Sequence, residues 1–89
     1  MTLLPPPQYD VPPPMPVIEY VLAGRDVTNF CSRALLEEGP WRGCSFFSGG
    51  NCYIVRIDMP DVARHERAHC AGWPADHPGG WYDIYKDRR

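Results

Sequence analysis

Two histidines and a glutamate share a short segment whose spacing suits metal chemistry. His65 and His69, in RHERAHCAG, are four positions apart, so one turn of a helix would bring both imidazole rings to the same face. A single metal ion can bridge two rings at this spacing. Glu66 lies beside that face, where a carboxylate can take a proton from a water molecule activated by zinc. The pattern predicts a zinc site with hydrolytic chemistry, although the same spacing also arises by chance on solvated helix faces.

The loop after this helix, GWPADHPGGW, is expected to supply a third ligand. Gly72 follows His69 by three residues and is expected to end the helix and turn the chain back. We predict His77 as the third ligand, because it offers a neutral imidazole and no other role for it is evident. Asp76 is the alternative, and it could instead orient a ligand histidine through a hydrogen bond.

The segment HERAHCAGWPADH resembles the active-site segment of the zincin metallopeptidases, within them the metzincin-like pattern HExxHxxGxxH. The resemblance implies that His65 and His69 bind zinc, that Glu66 is the general base, and that Gly72 bends the chain towards a third ligand. It also implies a sheet above the HExxH helix, with substrate held along an edge strand. The chain is therefore expected to be a minimal zincin of bacterial or phage type.

The sequence departs from the metzincin pattern in two places. Ala75 stands at the third-ligand position and cannot coordinate a metal, so the loop must run two residues longer if His77 is the ligand. No methionine follows Met59, so the methionine turn of the metzincins is absent. A glutamate third ligand, as in gluzincins, is also excluded, since Glu66 is the last glutamate. The resemblance is thus to a divergent zincin.

Hydrophobic patterning predicts a small single α+β domain that positions this segment. The β-branched and aromatic run VIEYVL, residues 17–22, predicts a strand. The runs GCSFF and CYIVRID flank the turn sequence SGGN and predict a β-hairpin. We expect a short antiparallel sheet packed on two helices.

The two helices are predicted from apolar spacing and from start and stop signals. The first lies in DVTNFCSRALLEEG, begins at Asp26 or Thr28 as N-cap and ends at Gly39. The second lies in DMPDVARHERAHCAG, with Asp58 as N-cap and Pro60 in the first turn, and it carries HExxH. The apolar stripe of the first helix comprises Val27, Phe30, Cys31, Ala34 and Leu35.

Four cysteines in 89 residues favour two disulfides over buried thiols or metal ligands, because small domains often need such links. No pair has CxxC spacing, so a four-cysteine zinc cluster is not expected. With Gly49-Gly50 as the hairpin turn, Cys44 lies opposite Val55, and Cys44 and Cys52 lie on opposite faces of the hairpin. These two should therefore pair elsewhere, with Cys31 and Cys70 as the candidates.

Residues 1–16, MTLLPPPQYDVPPPMP, contain seven prolines and predict an extended polyproline II arm ahead of a domain at 17–89. A stiff arm or linker is favoured, with a strap across the domain or a ligand for a partner's aromatic groove as alternatives. Oxidised cysteines would indicate an extracytoplasmic or periplasmic protein. No secretory signal and no membrane-spanning run of about 20 apolar residues is visible. A net charge of −2 gives no reason to expect nucleic acid.

Three functions remain open from the sequence. The first is a zinc metallopeptidase in which Glu66 activates water against a peptide or protein substrate, held along an edge strand such as YIVRID. The second is a non-catalytic module of a larger assembly, in which zinc serves as a structural staple. The third is a disulfide-held domain without metal. Only twelve residues follow His77, so a peptidase of this size would need a partner to complete its cleft or would act on small substrates.

Overall fold

The computed structural model describes residues 1–85, and residues 86–89 of the predicted domain lie outside this part. The predicted α+β class is confirmed, and residues 1–85 form two α-helices and one three-stranded sheet. The elements in chain order are a 3-10 turn (Pro7–Tyr9), β1 (Val17–Val21), α1 (Gly24–Leu35), β2 (Gly43–Ser48), β3 (Asn51–Arg56) and α2 (Pro60–Cys70). Neither helix is long and apolar enough to cross a membrane.

The sheet has the order β1-β3-β2 and is mixed. β2 and β3 form the predicted antiparallel hairpin, with Cys44 opposite Val55. β1 pairs with β3 in parallel, with Val17 opposite Cys52, so the expectation of a purely antiparallel sheet holds only for the hairpin. A parallel pair needs a crossover connection, which α1 supplies between β1 and the hairpin. β3 is therefore the central strand, and β2 is an edge strand.

α1 packs on one face of the sheet through Val27 and Cys31, which are fully buried against Cys44 and Val55. The helix begins after Ala23, whose carbonyl accepts the first helical hydrogen bond, and not at Asp26 or Thr28. The Thr28 hydroxyl instead hydrogen-bonds the backbone N–H of Trp41 and the carbonyl of the same residue. The helix ends at Leu35, followed by the left-handed Leu36, ahead of the predicted stop at Gly39.

α2 packs on the opposite face, where Cys52, Ile54 and Cys70 form a second buried cluster. The helix starts at Pro60, whose missing N–H is no loss in the first turn. Its N-cap is Met59, one residue after the predicted Asp58, and no side chain caps it.

Two disulfides join the helices to the sheet. Cys31 pairs with Cys44, and Cys52 pairs with Cys70, so each hairpin cysteine bonds to a different helix as its face requires. The closed loops have sequence separations of 13 and 18 residues, and loop-closure entropy gives each bond about 3 kcal/mol of stabilisation. Disulfides are compatible with an extracellular location.

The Pro-rich segment packs against the domain and does not extend away from it as a linker. Leu4 is only 1% exposed, and its backbone forms an antiparallel bridge with Trp81. Asp10 forms an ion pair with Arg64 on α2. We call residues 3–10 the N-terminal strap.

Candidate metal centre

Helix α2 and the loop after it bring the three histidines together. His65 and His69 lie on one face of α2, with their Nε2 atoms 3.2 Å apart. Gly72, with φ of +105°, turns the chain after the helix. The loop then returns His77, whose Nε2 lies 3.1 Å from Nε2 of His69. One ligand atom from each histidine lies within 4.8 Å of the others, so the group can hold a metal ion.

His77 occupies an uncommon backbone conformation. Its φ is +58°, in the left-handed region, which costs a residue with a side chain about 1 kcal/mol or more. The conformation is fixed on both sides, because the His77 N–H donates to the carbonyl of Pro74 and its carbonyl accepts from the N–H of Gly80. This turn points the imidazole back towards α2. Asp76, the alternative third ligand, is exposed and lies outside the histidine group.

Backbone carbonyls fix the orientation of two rings. His65 Nδ1–H donates to the carbonyl of Leu3 at 2.6 Å, and His69 Nδ1–H donates to the carbonyl of Trp73 at 2.8 Å. A carbonyl only accepts, so each ring carries its proton on Nδ1 and presents the Nε2 lone pair to the cluster. This arrangement is typical of metal-binding histidines.

The spacing of the nitrogens fits a bound cation. Zinc–nitrogen bonds of about 2.0–2.1 Å in tetrahedral geometry place two ligand nitrogens about 3.3 Å apart. Nε2 of His69 lies 3.2 Å from that of His65 and 3.1 Å from that of His77. Burial lowers the pKa of His65 and of His69, against the raising effect of their carbonyl partners, and so favours the neutral rings that metals require. Converging lone pairs of neutral rings repel unless a cation lies between them.

Glu66 lies beside the histidine group as a buried carboxyl. Its side chain is almost inaccessible, and Oε2 is 4.0 Å from Nε2 of His65. The Ser45 hydroxyl hydrogen-bonds the carboxyl of Glu66. Gly43, which has no side chain, leaves room for this carboxyl, because a Cβ added to Gly43 would lie 3.2 Å from Oε2 of Glu66. Burial raises the pKa of Glu66 to about 7, and the hydrogen bond from Ser45 opposes this shift. A carboxyl with a pKa near neutrality is suited to accepting and releasing protons.

The group lies in an open cleft of about 750 Å³. α2 contributes His65, Glu66 and His69 to its lining, and the edge strand β2 contributes Gly43, Cys44, Ser45 and Phe47. The following loop adds Trp73, Ala75 and His77 to the lining. Residues 1–3 also line the cleft, so the N-terminal segment supplies part of a wall for which the sequence suggested either a partner or a small substrate.

Comparison of this chain with protein-family models, with curated proteins and with solved structures finds no match. Sequence patterns pointed to His65, Glu66, His69 and His77, and the structure brings these four side chains together. No sequence motif pointed to Ser45 or to the carbonyls of Leu3 and Trp73. The alternation along β2, which puts residues 43 and 45 on the face towards α2, is the signal that could have indicated Ser45.

Proposed function

We propose that the protein is a zinc-dependent metallopeptidase. One observation carries the proposal: Nε2 atoms of His65, His69 and His77 converge in an open cleft, with the buried Glu66 carboxyl beside them. Catalytic zinc sites typically have three protein ligands and keep a further position open, whereas structural sites have four. Within residues 1–85 no fourth histidine, cysteine or carboxylate joins the group. Neutral imidazole ligands are well suited to zinc.

Each residue of the centre has a distinct role in this proposal. His65, His69 and His77 hold the metal, and the carbonyls of Leu3 and Trp73 orient two of the rings. Zinc, when bound, would polarise a water molecule and the peptide carbonyl. Glu66 would accept a proton from the attacking water as the water oxygen bonds to the carbonyl carbon. Glu66 then returns the proton to the leaving nitrogen as the C–N bond breaks.

The proposed substrate is an extended peptide or protein segment bound along β2. The sequence suggested YIVRID for this role, but the first four residues of that run lie in β3, the central strand, which is paired on both edges. β2 has an edge that pairs with no other strand in residues 1–85, and its residues line the cleft. A peptide can add to such an edge through main-chain hydrogen bonds. Phe47, 61% exposed on this strand, offers apolar contact to substrate side chains.

A zinc-stapled binding module is the second candidate function. It is favoured by the position of His77 on a loop without helix or strand, because a metal held by His65, His69 and His77 would fix that loop to α2. Metal binding then contributes directly to folding free energy. Such a module has no need of a proton acceptor at Glu66.

Substitution of Glu66 separates the two candidates. We expect Glu66→Gln to retain zinc and to lose peptide hydrolysis by about a hundredfold or more, as expected on removing a general base. Glu37→Gln is the matched control, because Glu37 lines the same cleft but is exposed. Cleavage of a mixed peptide library, followed by mass spectrometry, measures the activity. Zinc-loaded wild type that cleaves no peptide, or Glu66→Gln that cleaves as fast as wild type, would contradict the peptidase proposal.

A further inference from the structure

The N-terminal strap contacts the first metal ligand directly. The carbonyl of Leu3 accepts the Nδ1–H of His65 at 2.6 Å, so the backbone of the strap sets the ring orientation and the tautomer of this histidine. Groups that hydrogen-bond a metal ligand in this way commonly change metal affinity by about 10–100-fold when they are lost. Here that group belongs to a segment more than 60 residues away in the sequence.

The strap also holds the end of the loop that carries the third ligand. Leu4 and Trp81 exchange two backbone hydrogen bonds of 2.7 and 3.0 Å, and Trp81 Nε1–H donates to the carbonyl of Pro5 at 2.9 Å. Gly80 lies so close to the strap that an added Cβ would be 2.9 Å from Cγ of Leu3. The position of the loop at 72–81, and hence of His77, therefore depends on a docked strap.

Two further contacts anchor the strap to the domain. Leu4 buries its side chain almost completely. Asp10 accepts three hydrogen bonds from the guanidinium of Arg64, the residue before His65, with the shortest at 2.6 Å. The strap is thus attached near both of its ends, at Leu4 and at Asp10.

We propose that the strap is a positioning element of the metal centre, so that strap docking and metal binding are thermodynamically coupled. The inference rests on the metal-binding part of the proposed function and not on peptide hydrolysis. A docked strap holds His65 and His77 in the binding arrangement. A bound metal in turn holds α2 and the loop at 72–81 together, and the strap lies on both. Coupling of this kind is reciprocal, and it amounts to about 5–150-fold in affinity in typical cases. A partner that pulled the strap away would therefore weaken the hold on the metal.

A pair of core truncations tests the coupling on the full chain. Leu4 and Val27 are both buried, but Leu4 belongs to the strap, while Val27 belongs to α1 and packs in the cluster with Cys44 and Val55. Affinity for Zn²⁺ is measured by competition with a chromophoric chelator. We expect Leu4→Ala to weaken Zn²⁺ binding about tenfold, within the usual range of coupling, and Val27→Ala to leave it unchanged in the folded protein.

If Leu4→Ala does not fold, a second variant and a second measurement still test the coupling. Gly80→Ala pushes against Leu3 while sparing the Leu4 core, and we expect it also to weaken Zn²⁺ binding. In wild type, Zn²⁺ should slow hydrogen exchange at the amides of Leu4 and Trp81. The amide of Val27, which is bonded to the carbonyl of Ala23 in α1 on the opposite face of the sheet, should change little.

The outcomes separate this inference from the proposed function. Wild type that binds Zn²⁺, with strap variants that bind it equally well and no metal-dependent protection at Leu4 and Trp81, overturns the coupling and leaves the metal site standing. Wild type that binds no Zn²⁺ overturns both. Zn²⁺ binding that is weakened in the strap variants but not in Val27→Ala, with metal-dependent protection of the strap amides, supports the coupling. This conclusion holds whether or not any peptide is cleaved.

Discussion

Adding a single methyl group at Gly43 tests how Glu66 is held. The added Cβ would lie 3.2 Å from three atoms, namely Cγ and Oε2 of Glu66 and Cγ1 of Val62. Favourable contacts between heavy atoms are about 3.5–4.0 Å, so each neighbour must withdraw by about 0.3 Å or more. These atoms belong to α2, which the sheet packs against. The methyl group therefore strains the interface between β2 and α2 and displaces the Glu66 carboxyl.

The expected magnitude follows from two opposing contributions. Overpacking a close-packed site costs about 1–3 kcal/mol. Replacing glycine by alanine restricts the unfolded chain and returns about 0.4–1 kcal/mol. Gly43 does not have the positive φ that would itself strain an alanine, so the net destabilisation of Gly43→Ala should be about 1 kcal/mol. The melting temperature should fall by about 4–8 °C for a domain of this size.

Gly24→Ala is the matched control. An added Cβ at Gly24, the first residue of α1, meets only Cγ2 of Ile57 at an ordinary 3.9 Å. We expect it to stabilise the protein by about 0.4–1 kcal/mol, because only the unfolded-chain contribution remains. Urea denaturation of both oxidised variants measures the difference. Equal stability of the two variants, or unimpaired peptide cleavage by Gly43→Ala, would refute the close packing of Glu66 against β2.

Two further predictions concern interactions away from the cleft. Burial raises the pKa of Glu19, but hydrogen bonds from Arg56 and Arg67 outweigh it and hold the pKa below its ordinary value of 4.5. The ion pairs therefore stabilise the fold above pH 4.5, and their contribution is lost as the pH falls through the lower folded-state pKa of Glu19. The melting temperature of Glu19→Gln should therefore decrease less on acidification than that of wild type. Replacing Cys52 and Cys70 together by alanine should cost about 3 kcal/mol in urea denaturation, and a loss below about 1 kcal/mol would contradict the entropic estimate.

The sequence predicted the local features of the fold because short-range patterns encode them. The hairpin register follows from the Gly49-Gly50 turn and strand alternation, and it excluded a bond between Cys44 and Cys52. Helical spacing predicted that His65 and His69 share a face.

Long-range pairing and backbone contacts were not predictable in the same way. The parallel pairing of β1 with β3 joins segments about 35 residues apart, and nothing in VIEYV distinguishes parallel from antiparallel pairing. The bond between Leu3 and His65 uses a backbone carbonyl, which every residue has. The predictions of Asp26 and Asp58 as N-cap residues were wrong. Ala23 and Met59 occupy these positions, and no side chain caps either helix.

The metal content of the protein purified without a histidine tag tests the metal centre most directly. Elemental analysis of wild type, His77→Ala and Asp76→Ala compares the predicted third ligand with its exposed neighbour in the same loop. The geometry of the three imidazoles predicts about one zinc per chain in wild type and Asp76→Ala, with most of it lost in His77→Ala. Wild type without zinc that gains none when it is supplied, or His77→Ala with undiminished zinc, would contradict the proposed centre.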